Sequence, residues 1–266
     1  MKILHDLHLH SRLSDGAEPH ATVENYLALA KEYGLSAIGI ADYLWDTKVS
    51  APCDEFYEDQ DAKRILSMVY PKEKGIRILR GCEVEMDEKG RLGISEETAK
   101  KMDFILATHS HSHIEGAIPD AIRRDKKKLA ELLCDRFSLL IENPMAKYIT
   151  AVAHPFYPTG NPDNFDEVLF RIPDDRLEDL FNDAVYKNIA IELSASAFSS
   201  YPMKSMHRSE LFRIYETAKE CGCKFTFGSD CHDPDMLAES LQRLEILTDI
   251  LEITAADICP LVNEAN

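Results

Sequence analysis

Hydrophobic runs and helix-period segments alternate along this chain with little interruption, and that alternation restricts the fold more than any other feature. Seven runs read as strands, over residues 3–9, 36–41, 76–84, 104–108, 149–153, 188–193 and 224–228. Between them lie amphipathic stretches. Thr22 caps a segment in which Val23, Tyr26, Leu27, Ala30 and Tyr33 recur at helical spacing, and Gly34 ends it. A second, over residues 119–141, carries Leu129, Leu132, Leu133, Phe137, Leu140 and Ile141 on one side. Later ones run through Leu211, Tyr215 and Ala218 to Gly222, and through Leu237, Leu241, Leu244 and Leu251. Such stripes face a core. Strand and helix in strict alternation imply βαβ units and a parallel sheet, open or closed into a barrel. No Gly/Ser-rich or Pro-rich linker, low-complexity segment or repeat divides the chain, so residues 1–266 read as a single domain. The longest connection, residues 43–75, holds Trp45, Pro52, Phe56 and Tyr57 ahead of a helix near residues 61–69, and reads either as a lid or as a structural excursion.

The strands share a second property: each finishes on a residue of a kind that binds metal or lies beside one. The first runs into His8 and His10, which strand alternation projects to one face. The second reaches Asp42, the third Glu83, and the fourth His109 with His111 and His113 alternating behind it. His154 ends the fifth, Glu192 lies on the sixth, and the seventh delivers Asp230 and His232. In parallel α/β folds the loops at the carboxyl ends of the strands converge, so these residues meet in one crevice. His8, His10, Glu83, His109, His154, Asp230 and His232 are the expected ligands. Asp15 joins them through the Ser14-Asp15-Gly16 turn, which can aim a carboxylate back at the site. Asp42 and Glu192 either hold ligating imidazoles by their free N–H or are plain strand-end carboxylates. His111 is placed against substrate and His113 in an ordinary loop, while His5, His20 and His207 are given solvated or capping roles.

Composition removes several function classes. A formal net charge of −17 disfavours broad nucleic-acid binding, which rests on Lys and Arg neutralising phosphates. It leaves anionic substrates open, because bound divalent cations can reverse the sign of a site. No apolar run approaches a membrane span, and the first residues are too short and polar for a secretory signal. Seven cysteines, an odd number without CxxC spacing, read as reduced structural thiols. The expectation is a soluble, cytoplasmic protein, with its oligomeric state left open.

The pattern resembles the PHP family, the polymerase and histidinol phosphatase superfamily. The resemblance rests on Asp6-Leu7-His8-Leu9-His10-Ser11 with Ser14-Asp15-Gly16, Gly39-Ile40-Ala41-Asp42, Gly81-Cys82-Glu83-Val84, residues 103–109, Ala153-His154-Pro155, and Gly228-Ser229-Asp230-Cys231-His232. It implies a distorted (β/α)7 barrel with two or three divalent ions, Zn, Fe or Mn, at the carboxyl ends of its strands. Carried over residue by residue, it puts His8, His10, Glu83 and Asp230 around one ion, and Glu83, His109 and His154 around a second. Asp15 and His232 contribute to a third. The chain departs from the pattern at Tyr43, where family members commonly have histidine, so the third site is altered, weakly occupied or empty. It departs again at Glu192-Leu193-Ser194-Ala195-Ser196-Ala197-Phe198, where histidinol phosphatases of this family tend to carry asparagine and a nearby basic residue.

The activity implied is metal-dependent hydrolysis of a small-molecule phosphate monoester, histidinol-phosphate-like or nucleotide-like, by a hydroxide held between ions that Glu83 bridges. Glu83, Asp230 and His232 carry the chemistry, with His232 or Asp15 as acid where a third ion is missing. Arg12 is the sequence-adjacent candidate for a phosphate clamp. Three rival readings stand beside this one. An amidohydrolase-type barrel also opens with HxH, but residues 104–109 offer no bridging lysine. The others are a noncatalytic metal-binding scaffold and a nuclease acting on short oligonucleotides.

Overall fold

The computed structural model describes residues 1–111, 119–157 and 165–263. Among the described residues nine strands are present: β1 (His5–Leu9), β2 (Ala37–Ile40), β3 (Tyr43–Leu44), β4 (Arg77–Arg80), β5 (Glu83–Val84), β6 (Leu106–Ala107), β7 (Ala151–Val152), β8 (Ala190–Ser194) and β9 (Phe225–Gly228). All the pairings between them are parallel, in the orders β1-β2-β4 and β3-β5-β6-β7-β8-β9. They cover the seven strand positions expected, the third in two pieces, β4 and β5, while β3 extends the second past its expected end into the stretch expected as a connection. The breaks at residues 41–42 and 81–82 do not interrupt the ladder. Ala41 N–H donates to Leu9 O, Gly81 N–H to Ile40 O and Glu83 N–H to Asp42 O, at 2.8, 2.9 and 3.1 Å. Asp230 N–H to His8 O at 2.8 Å and His10 N–H to Cys231 O at 2.9 Å then carry the sheet from β9 back to β1. The strands therefore run around a ring, as the barrel expectation requires.

Helices fill the intervals and cover the outside. Helix Val23–Tyr33 starts where Thr22 accepts from Asn25 N–H and stops at Gly34, whose φ of 73° needs a residue without Cβ. It buries Val23, Tyr26, Leu27 and Ala30, and the Tyr26 hydroxyl is shared between the carbonyls of His10 and Cys231 where β1 meets β9. The single helix expected over residues 119–141 is instead two, Asp120–Arg123 and Lys126–Glu142. Asp125 divides them by capping the second through Lys128 N–H, the kind of local side-chain bond that starts a helix. Helices Asp174–Tyr186, Glu210–Glu220 and Leu237–Ile250 complete the outer layer. No helix among the described residues is long and apolar enough to cross a membrane.

Inside the ring, Leu7, Ala41, Leu79, Phe104, Leu106, Ala151, Ala153 and Ala190 form a small apolar cluster. The Phe104 ring fills the space that side chains at Gly39 and Gly81 would need, so those two glycines are required by close approach. The connection over residues 43–75 forms a separate aromatic cluster, with Trp45 and Tyr57 buried against Tyr43, Cys53 and Phe56, ahead of helix Ala62–Ser67. Above the apolar cluster the ring opens onto polar side chains.

Candidate metal centre

Glu83, the first residue of β5, is almost fully buried and touches imidazoles on both sides. Its Oε2 lies 3.2 Å from the Nε2 atoms of both His8 and His10, and its Oε1 lies 2.8 Å from His154 Nε2 and 3.5 Å from His111 Nε2. Asp230 Oδ1 approaches His8 Nε2 at 3.6 Å and His10 Nε2 at 3.3 Å. Two groups of donors follow, each compact enough for one ion: His8, His10, Glu83 and Asp230, and then Glu83, His111 and His154.

The imidazoles are fixed from behind. His8 Nδ1 lies 2.6 Å from Glu192 Oε1, and Glu192 Oε2 accepts from His154 N–H at 2.8 Å, so one carboxylate orients a residue in each group. A Cβ at Gly228 would collide with Glu192 and His8, which explains why the strand ending on Asp230 carries glycine there. His10 Nδ1 lies 2.8 Å from Ser14 Oγ, and that hydroxyl donates to Asp42 Oδ1 at 2.8 Å. His111 Nδ1 lies 2.7 Å from Glu85 Oε2. The acceptors around Nδ1 assign the proton there in all three rings, which leaves each Nε2 lone pair facing the centre. Two such nitrogens, on His8 and His10, then stand 3.0 Å apart. Lone pairs and carboxylates facing one another at these distances need a positive charge, and a divalent cation fits that donor set.

The electrostatics state the same demand. Burial pulls the His8 imidazole down, yet Glu192, Glu83 and Asp230 more than reverse it and raise its pKa well above 6.5. His10 and His111 also stand above the usual value against the pull of burial, through Asp230 and Glu83 in the first case and Glu85 in the second. Burial alone would push the Glu83 carboxyl up, but the surrounding histidines, His8 first, hold it well below the ordinary range. The backbone is also under constraint here. His154 (φ 26°), Phe156 (φ 60°) and Asp230 (φ 57°) occupy the left-handed region without being glycine, at about 1–3 kcal/mol each.

The structure redistributes several expected roles. His109 stands outside both donor groups, because its Nε2 accepts from Phe156 N–H at 2.9 Å and its ring lies edge-on to Phe137 and Phe156. His111 takes the place beside Glu83 and His154 that was expected of His109. His111 is the fourth residue beyond β6 and still reaches the site. Asp15 is exposed and belongs to neither group; Ser14 is the residue of that turn that meets a ligand. Of the two roles left open for Asp42 and Glu192, both hold an imidazole in place, Asp42 through Ser14. His232 lies at the rim, its Nε2 3.1 Å from the Tyr43 hydroxyl and its ring stacked on His10 with centroids 4.0 Å apart. Arg12 is exposed and lines a groove with Thr22, Glu24 and Met68. His5 is buried on β1, His20 is exposed beside Asp233, and His207 lies in the short helix Met206–Arg208. His113 falls outside the described residues.

Two residues that matter to the site escaped the sequence reading. Glu85 accepts from His111 and from the Tyr57 hydroxyl. Buried Arg136 donates to the carbonyls of Met86, Asp87 and His109, which fixes the loops bearing Glu85 and His111. A two-residue period from Glu83 would have pointed to Glu85. Nothing in the helical stripe of Lys126–Glu142 distinguishes Arg136 from a solvated arginine.

Comparison with known proteins agrees with the fold. A probable phosphatase of Thermoanaerobacter sp. (strain X514) is 29% identical over 233 residues, covering 87% of this chain and 80% of the relative. A probable phosphatase of Caldicellulosiruptor bescii is 28% identical over 231 residues, 85% and 79% of the two chains. The fold matches the crystal structure of histidinol phosphate phosphatase from Lactococcus lactis subsp. lactis, solved with zinc, L-histidinol and phosphate, with a TM-score of 0.62 at 16% identity over 96% of this chain and 95% of that one. The family model of the PHP domain matches residues 6–196, which take in both donor groups except Asp230. The ring of parallel strands with its histidine and carboxylate mouth therefore belongs to a member of the PHP domain family.

Proposed function

We propose that the chain is a metal-dependent phosphatase acting on a small-molecule phosphate monoester at the centre built around Glu83. The observation that carries this reading is the convergence of ring nitrogens, oriented by the partners of their Nδ1 atoms, on two carboxylates in a buried pocket. His8, His10, Glu83 and Asp230 would hold one divalent ion, and Glu83, His111 and His154 a second. Imidazole with carboxylate suits Zn, Mn or Fe. Such ions, when bound, polarise phosphoryl oxygens and acidify a bound water. The relatives named probable phosphatases and the phosphate-bound structural neighbour support the same reaction class.

The chain's own residues supply position. Glu83 joins the two groups, Glu192 fixes His8 and the backbone of His154, and the Ser14–Asp42 pair fixes His10. Asp230 and His232, with side chains 19% and 27% exposed among neighbours that are sealed, mark the side from which a substrate enters. A phosphate ester of histidinol-phosphate-like or nucleotide-like size is the substrate class, and the cytoplasm the compartment. The test is phosphate release from an aryl phosphate and from a panel of amino-alcohol, sugar and nucleoside monophosphates, with Zn, Mn or Fe restored. Turnover that chelation abolishes and metal returns is expected. No turnover with any metal across the panel would overturn the reading.

A further inference from the structure

We propose that the centre takes two ions rather than three, and that Tyr43 keeps His232 out of it by a hydrogen bond. The inference rests on the metal-centre reading above and concerns how many ions that centre holds. His232 has no lone pair to give. Its Nδ1 lies 3.2 Å from the Asp230 carbonyl oxygen, an acceptor, so this nitrogen carries the proton. Its Nε2 lies 3.1 Å from the Tyr43 hydroxyl, which donates to it. Both nitrogens are therefore spent. The His232 ring lies almost parallel to His10, 18° between planes, so it presents a face to that ligand and not an edge.

Tyr43 is held where this bond requires it. Its backbone N–H donates to Ser14 Oγ at 3.2 Å, the same hydroxyl that His10 uses. Its ring lies 4.4 Å from His10 and meets Phe56 and Tyr57 edge-on at 5.0 and 6.3 Å. A phenol wedged this way has its oxygen directed at His232. Asp15, the other residue from which a third site would be assembled, is exposed and in neither donor group. The open side of the centre thus presents a neutral phenol–imidazole pair in place of a third cation.

Elemental analysis of protein reloaded with Zn or Mn and freed of excess metal tests this without reference to turnover. Two equivalents per chain are expected in the wild type and in His232→Ala, and more than two in Tyr43→Phe, where His232 Nε2 is released, with melting curves confirming that each variant is folded. Three equivalents in the wild type, or loss of one in His232→Ala, would overturn the proposal while leaving the phosphatase reading intact. Zero equivalents in the wild type would remove both. Loading with ferric iron adds an optical check: a phenolate-to-iron charge-transfer band that disappears in Tyr43→Phe would make Tyr43 a ligand and overturn the proposal, and its absence is the expected result.

Discussion

His5 and His8 lie three residues apart on β1, both sealed from solvent, and they stand at opposite ends of the imidazole range. His5, at the amino end of the strand, accepts from Phe227 N–H at 2.9 Å and stacks on the Phe227 ring. Burial lowers its pKa from 6.5 to about 3, with no charged partner opposing. His8, toward the mouth of the ring, is equally buried, but Glu192, Glu83 and Asp230 surround it and raise it well above 6.5. The same residue type under the same desolvation is driven neutral at one end and made to demand positive charge at the other. Burial fixes the cost of charge; the carboxylates decide its sign. The amino end is consequently packing and the carboxyl end is chemistry.

The largest expected effect comes from removing the carboxylate that makes the mouth what it is. Glu83→Gln keeps the shape but withdraws the one oxygen pair that both donor groups share. It should lower the ion content of the protein and remove several kcal/mol of catalytic stabilisation, about a thousandfold in turnover. Ion content unchanged from the wild type would break the comparison, because the mouth would then not depend on this charge.

Substitutions one layer further out sharpen the contrast within the mouth itself. Glu192 accepts from a donor in each group, whereas Glu85 serves only His111 among the ligands. An amide has a single acceptor oxygen, so Glu192→Gln cannot receive both His8 Nδ1–H and His154 N–H. A loss toward the upper end of about 10–100-fold in metal affinity or turnover is expected for Glu192→Gln, and toward the lower end for Glu85→Gln. Metal titration of the two variants checks the order, and a larger loss in Glu85→Gln would refute it.

How much of this was visible in the residues follows the same division. All seven strand positions and the mouth's main donors were legible, because apolar runs mark strands and parallel strands aim their carboxyl ends one way. The choice between His109 and His111 was not. Both lie beyond the two-residue strand Leu106–Ala107, where alternation no longer says which way a side chain points. Only the Phe137 and Phe156 rings around one, and Glu85 beside the other, separate them. The use of Ser14 in place of Asp15 has a similar cause. A turn residue's direction depends on what it bonds, here His10 and Asp42, and spacing along the chain does not carry that. Asp42 and Glu192 were seen as strand-end carboxylates, but their partners come from segments far away in sequence.

The last test lies at the amino end and asks whether His5 is governed by burial alone. Its folded pKa of about 3 lies below the unfolded 6.5, so the unfolded chain takes up a proton that the native protein refuses. Stability from this group is therefore complete above pH 6.5 and declines as pH falls toward 3, by about 1.4 kcal/mol per pH unit within that window. His5→Gln keeps an oxygen able to accept from Phe227 N–H and cannot be protonated. Urea unfolding of both proteins across the acid range should show a shallower loss in the variant by that slope, while the ion content of the mouth stays the same. Parallel acid limbs would mean that His5 is already charged in the native state, and the two ends of β1 would then differ in degree and not in kind.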